Sequence, residues 1–146
     1  MKNRMKISLL ALLVVLAVSC NTEPQAIDYG NDGCHFCKMT IVDKIHGAEF
    51  VTEKGKVYKF DATECMLNYA QDTPNSDTGV YYTNYYESPT DLIPSSDATY
   101  LISKELPSPM GANLTAFKEK SIAEKIQSDL GGNIYNWEEL KSYLNK

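Results

Sequence analysis

From Gly47 onward the sequence states the same short grammar twice, and this repetition restricts the possible fold more than any other feature. "GAEFVTEKGKVYKF" holds two runs rich in Val, Phe and Tyr, split by Glu53-Lys54-Gly55, which is the pattern of a β-hairpin. In "FDATECMLNYA", Asp61 is a good N-cap, Glu64 stands three residues later as in a capping box, and Phe60 is placed to pack on Cys65. A helix is therefore expected from Asp61 to about Gln71. "TPNSDTG" reads as a loop and "VYYTNYY" as a strand. The second round offers "TYLISKE" and "NLTAFK" as strands. Ser121 to Glu124 reads as a second capping box, opening a helix in which Ile122, Ile126 and Leu130 recur at a spacing of four until Gly131 stops it. "NIYNW" adds a strand and "WEELKSYL" a closing helical turn or two. The expected fold is α+β, with tandem ββαβ units in one small domain and no Gly-rich loop on which a nucleotide phosphate would rest.

The chain opens with Lys2, Arg4 and Lys6, an apolar run from Ile7 to Val18, then Ser19 and Cys20. That run is too short to span a bilayer core, which takes about 20 helical residues, so it reads as an export signal. The order Ala17, Val18, Ser19, Cys20 resembles the lipobox of bacterial lipoproteins, with residues 1–19 removed and Cys20 lipidated. Loss of the three leader cations takes the formal net charge from −5 to −8. With no cluster of Lys and Arg to break that field, nucleic acid is excluded as a partner. Residues 20–33 are polar, with Pro24, Gly30 and Gly33, and read as a lipid-anchored tether; the folded domain is expected over residues 34–146.

"CHFCKMT", residues 34–40, sets two thiols, an imidazole and a thioether in six consecutive positions. With Cys20 committed to lipid, Cys34, Cys37 and Cys65 are an odd number, so disulfide pairing leaves at least one thiol over. A Cys-x-x-Cys pair in an exported chain also suits a thiol-disulfide redox protein using Cys34 and Cys37, but the run Thr40-Ile41-Val42 is a poor start for the helix such sites need. Cys34, Cys37, Cys65 and either His35 or His46 can supply the four ligands of a zinc-stapled interaction module. The thioethers Met39, Met66 and Met110 favour a softer ion, Cu(I), which sulfur ligands satisfy and zinc sites rarely share. In a strand-like segment Cys37 and Met39 face the same side; Met66, on the helix, fits core packing as well as ligation. His35 is expected beside the ion or as an alternative ligand, and His46 in a solvated turn. The tyrosines between Tyr81 and Tyr86 suit a strand buried on one side, or a docking face. No base, nucleophile and orienting acid are set out as an enzyme requires, so a carrier is expected.

"CHFCKMTIVDKIHGAEFVTEKGKVYKFDATECMLNYA", followed by "TYLISKE", "PMGANLTAF" and "AEKIQSDLGG", resembles the NosL family, copper-binding lipoproteins that serve nitrous oxide reductase as accessory factors. The resemblance implies a tandem ββαβ fold and Cu(I) bound in the periplasm by a protein lipid-anchored to a bacterial membrane, outer or inner. It also implies delivery of copper to nitrous oxide reductase or its membrane assembly complex. Cys37 and Met39 match the family's Cys-Gly-Met block and Met110 its Met-Gly. The ligand set expected is thus Cys34, Cys37, Met39, Cys65 and Met110. Lys38 stands where the family commonly has Gly, and would be strained if that position needs a positive φ.

Overall fold

The computed structural model describes residues 22–74 and 76–145; the export signal and Cys20 lie outside them. The expected hairpin is present as β1 (Ala48–Val51) and β2 (Val57–Phe60), followed by α1 (Thr63–Gln71) and β3 (Val80–Tyr85). A further strand, β4 (Ser88–Pro94), completes an antiparallel sheet in the order β2-β1-β3-β4. β4 carries Pro89 and Pro94 and lies at the sheet edge, where a residue without an N–H is tolerated. The second unit runs β5 (Thr99–Ile102), β6 (Leu114–Phe117), α2 (Lys120–Leu130) and β7 (Asn133–Tyr135), then α3 (Trp137–Leu144). Its antiparallel sheet has the order β6-β5-β7, so in both units the first strand sits between the second and the third. The fold is α+β, two ββαβ units with an added strand after the first and an added helix after the second.

The register explains the core. Phe50 stands opposite both Tyr58 and Tyr81, and Ala48 opposite Phe60 and Thr83, so one face of the first sheet is largely apolar. α1 covers that face, with the Tyr69 ring 5.2 Å from those of Tyr58 and Phe60. Tyr81 packs on Phe50 and Trp137, and Tyr86 on Phe117. The tyrosine run thus serves packing rather than a free docking face.

Three expectations are corrected. Asp61 does not cap α1: the N-cap is Ala62, without a side-chain bond, and Asp61 and Glu64 are both buried and engaged elsewhere. Ser121 does not cap α2 either. The N-cap there is Glu119, and the carboxylate of Glu87, in the β3–β4 turn, accepts from the amides of Lys118 and Glu119 at 3.2 and 2.9 Å. The capping box that does form is Asn136 with Glu139, at α3. Third, residues 22–33 are no free tether. Ile27 is buried, the Gln25 amide donates to Glu49 Oε2 at 2.9 Å, Tyr82 donates to the Thr22 carbonyl, and Lys59 Nζ bonds the Ala26 carbonyl and Asp32. This strap crosses the second face of the first sheet, the one carrying Glu49, Lys59 and Tyr82.

His46 is buried as well, contrary to the solvated turn expected. Its Nε2 lies 3.1 Å from Thr115 Oγ1 on β6 and its Nδ1 2.9 Å from Asp43 Oδ1. Carboxylate, imidazole and hydroxyl in a row resemble a catalytic relay, but Thr115 is only 1% exposed and no substrate reaches it. The arrangement joins the two units, as does the Tyr86 amide donating to the Ala116 carbonyl at 2.9 Å.

Candidate metal centre

Residues 33–40 double back on themselves. Gly33 and Thr40 pair across an isolated bridge, the Cys34 amide donates to the Met39 carbonyl at 2.8 Å, and the Lys38 amide to the Cys34 carbonyl at 3.1 Å. The segment is therefore a tight loop rather than the strand expected, and Cys37 and Met39 do not share a strand face. Closing the loop puts Lys38 at φ 66, the left-handed region, with its Nζ donating to the His35 carbonyl at 2.6 Å. A side chain in that region costs about 1–2 kcal/mol. Lys38→Gly is accordingly expected to leave the fold intact and raise the stability of the metal-free protein by roughly 0.5–1 kcal/mol, since glycine's larger unfolded-state entropy offsets part of the relief. Urea denaturation measures this; a loss of stability would mean that the lysine contact outweighs the strain.

The loop sets Cys34 and Cys37 beside Cys65, which the first turn of α1 supplies. All three are free thiols, and their sulfurs lie within 4.8 Å of one another. Cys34 and Cys65 are buried and Cys37 is partly exposed. The Cys34 thiol is brought down to about 4, chiefly by the hydrogen bond from Cys65 and further by the amides of Asp61, Cys37 and Phe36, which outweigh its burial. Cys65 is pushed far up because its proton serves Cys34 and because it is buried, and burial also raises Cys37. Of the three, Cys34 is thus the thiol whose ionised form the site favours most. No helix follows Cys37; a cradle of loop amides holds the charge instead.

Asp61 is part of that cradle, which is why it is not a cap. Its amide serves Cys34, its carboxylate accepts from the Val42 amide, and burial raises its own affinity for a proton. His35 turns toward β2: its Nδ1 accepts from the Lys59 amide at 3.2 Å, and its ring meets the edge of Tyr58. Among the described residues, the His, Cys, Asp and Glu side chains able to share one ion here are the three cysteines alone. The zinc reading therefore lacks its histidine, since His35 is hooked to β2 and His46 to Thr115. Met66 is fully buried in the core, while Met39 and Met110 are 47% and 39% exposed on loops. Phe36 and Val42 add exposed apolar surface to the rim of the cysteine loop.

A small α+β domain that gathers three free thiols within 4.8 Å of one another has the donor set of the soft-metal-binding domains. The NosL family profile matches residues 24–144. A curated relative, the copper-binding lipoprotein NosL of Stutzerimonas stutzeri, is 31% identical over 135 residues, covering 87% of this chain and 70% of its own. The crystal structure of the copper chaperone NosL from Shewanella denitrificans superposes with a TM-score of 0.70 at 24% identity, over 82% of this chain and 96% of that one. The chain belongs to the NosL family. Its relatives are named for binding and carrying copper, not for an enzymatic activity.

Proposed function

We propose that this protein is an extracytoplasmic, membrane-anchored Cu(I) carrier that hands copper to nitrous oxide reductase or to the complex that assembles it. The observation that carries the reading is the cluster of Cys34, Cys37 and Cys65, free thiols with sulfurs within 4.8 Å of one another, two of them buried. Three sulfurs in a shielded pocket suit a soft monovalent cation. Cu(I) binding would displace the protons of Cys37 and Cys65, so affinity falls as pH falls. Partial exposure of Cys37 beside Met39 and Phe36 offers a receiving ligand a point of entry.

Thiol-disulfide exchange is the alternative that a low thiol pKa favours. Exchange requires the thiolate to attack a partner's disulfide, however, and here the thiolate is the buried Cys34, 2% exposed. Burial protects a ligand and hinders a nucleophile.

An anchor at Cys20 would act at short range. Thr22 is already bonded to Tyr82, so the two intervening steps of chain span at most about 7 Å, and the domain would sit close against the bilayer. The anchoring and delivery are tested together in cells. A Cys20→Ala variant expressed at native level is expected to bind Cu(I) normally once purified yet to support less maturation of nitrous oxide reductase than the wild type. Full maturation with the unanchored form would contradict delivery from the membrane surface.

A further inference from the structure

Glu49 lies on β1, between β2 and β3, on the face of the first sheet that the strap covers, and it is fully buried. Its Oε2 accepts the Gln25 amide at 2.9 Å, while its Oε1 is buried with no hydrogen-bond donor among the described residues. Lys59, the cation facing it from β2, has its Nζ committed to the Ala26 carbonyl and to Asp32 Oδ2, both at 2.7 Å. The other groups around the carboxyl add no positive charge. Asp32 and Tyr29 approach from the strap and Tyr82 from β3, with Glu23 beside Tyr82 and Asp43 beside Tyr29. A carboxylate here would be buried, half satisfied and set among acids, so the neutral acid is the form the surroundings favour. Burial accordingly pushes the Glu49 carboxyl up to about 7, against partial relief from the Gln25 amide and Lys59. Asp32 and Asp43 are held below the ordinary carboxylate range by their partners Lys59 and His46, and burial raises Tyr29 and Tyr82, so none of these four changes charge as Glu49 titrates.

The strap has two unequal halves. From Ile27 onward it is seated: Ile27 is buried against Gly47, whose absent Cβ leaves it room, Tyr29 donates to Asn84 Oδ1 at 2.8 Å, and the Gly30 amide donates to the Ile41 carbonyl at 2.8 Å. No residue of 22–26 is buried, and polar contacts hold them: Tyr82 to the Thr22 carbonyl, the Gln25 amide to Glu49, and Lys59 to the Ala26 carbonyl. A segment held in this way opens at little cost, and its central contact is to the carboxyl itself.

We propose that residues 22–26 are a proton-dependent latch, which lies against the sheet while Glu49 is protonated and peels away, hinged at Ile27, once Glu49 ionises. The sign follows from linkage. A raised carboxyl favours the closed latch fully below the ordinary glutamate value of 4.5, and that advantage is lost as pH rises through about 7. Within this window one proton leaves on opening, so each pH unit favours the open form about tenfold. Opening also changes reach. Ile27 replaces Thr22 as the first fixed point after Cys20, and seven steps of chain span up to about 25 Å in place of about 7 Å. That consequence rests on the anchor proposed above; the latch itself does not.

Amide hydrogen exchange on the full-length protein, resolved by NMR and corrected for the chemical pH dependence of exchange, tests the latch. Between about pH 5 and 6.5 the opening constant at Gln25 is expected to rise about tenfold per unit, while that at Gly30, beyond the hinge, stays level. Glu49→Gln keeps an acceptor for the Gln25 amide and should remove the slope. Tyr82→Phe deletes the Thr22 contact and should raise opening at Gln25 about fivefold at every pH, leaving the slope unchanged. Carbon NMR of the Glu49 carboxyl needs no variant and should place its midpoint near 7. A level Gln25 constant in the wild type, the same slope in Glu49→Gln, a Gly30 constant rising in step, or a carboxyl midpoint near 4.5 would each overturn the latch. None of these outcomes bears on the Cys20→Ala result, which decides the anchor separately.

Discussion

Cys34→Ser is expected to lower Cu(I) affinity by about a hundred- to a thousandfold, taking one ligand as roughly a quarter of the ~10–16 kcal/mol that structural zinc sites supply. The expectation falls on Cys34 because its sulfur is 2% exposed and Cys65 and the amides of Asp61, Cys37 and Phe36 favour its ionised form. A serine hydroxyl would accept the same amides but stay protonated and hard, so it would satisfy the cradle without satisfying the metal. Cys37→Ser removes a protonated and partly exposed thiol and should cost less than Cys34→Ser. Competition with a Cu(I) chelator under anaerobic conditions ranks the two. The reverse order would show that charge in the buried cradle is not what anchors the ion.

The second large effect is on stability. Phe60→Ala should destabilise the metal-free protein by about 3–5 kcal/mol, the usual range for deleting a buried aromatic ring. Phe60 is fully buried, its ring lies 5.2 Å from Tyr69 on α1 and 6.2 Å from His35, and it immediately precedes Asp61, whose amide serves the thiolate. One side chain therefore supports β2, α1 and the cysteine loop together. Against a typical total of about 5–15 kcal/mol, the loss would leave the domain marginal. Urea denaturation reads it, with Phe60→Leu, which keeps most of the apolar bulk, expected to lose much less. Equal losses for both variants would mean that the aromatic contacts, rather than the buried volume, hold this corner.

The repeated hairpin, helix and strand were legible because local chemistry alone specifies them. Val, Phe and Tyr runs around Glu53-Lys54-Gly55 make a hairpin wherever they stand, and Gly131, at φ 70, ends α2 as read. What sequence could not show was which partner a polar side chain would choose. Asp61, Glu64 and Ser121 all carry the right spacing for caps, yet Asp61 serves the thiol site, Glu64 reaches Ser108 across 44 residues, and α2 starts at Glu119 with no side-chain cap, Glu87 from a distant turn holding the two amides that lead into it. β4 was hidden by its prolines, which mark an edge position as readily as a loop. The strap 22–33 was hidden by composition: one buried Ile27 and a few backbone bonds hold it, and neither leaves a periodic trace.

At the site, the proximity of Cys34 and Cys37 follows from their spacing, and the odd cysteine count made Cys65 a candidate partner. The left-handed Lys38 was foreseeable only from the family's glycine at that place. The lowered Cys34 thiol was not foreseeable, because the amides that favour its ionised form come from the loop and from Asp61, which adjoin only after folding. His46 illustrates the converse, since a histidine before a glycine looks like a surface turn until β6 brings Thr115 beside it.

The central claim, a Cu(I) ion held by the three clustered cysteines, is tested most directly by X-ray absorption on the protein loaded anaerobically with one equivalent of Cu(I). The account predicts a copper shell made of sulfur, with Cys34, Cys37 and Cys65 all protected from alkylation in the loaded protein and all reactive after a chelator removes the metal and the chain is unfolded. A shell of nitrogen and oxygen neighbours, or cysteines that alkylate equally with and without copper, would contradict it.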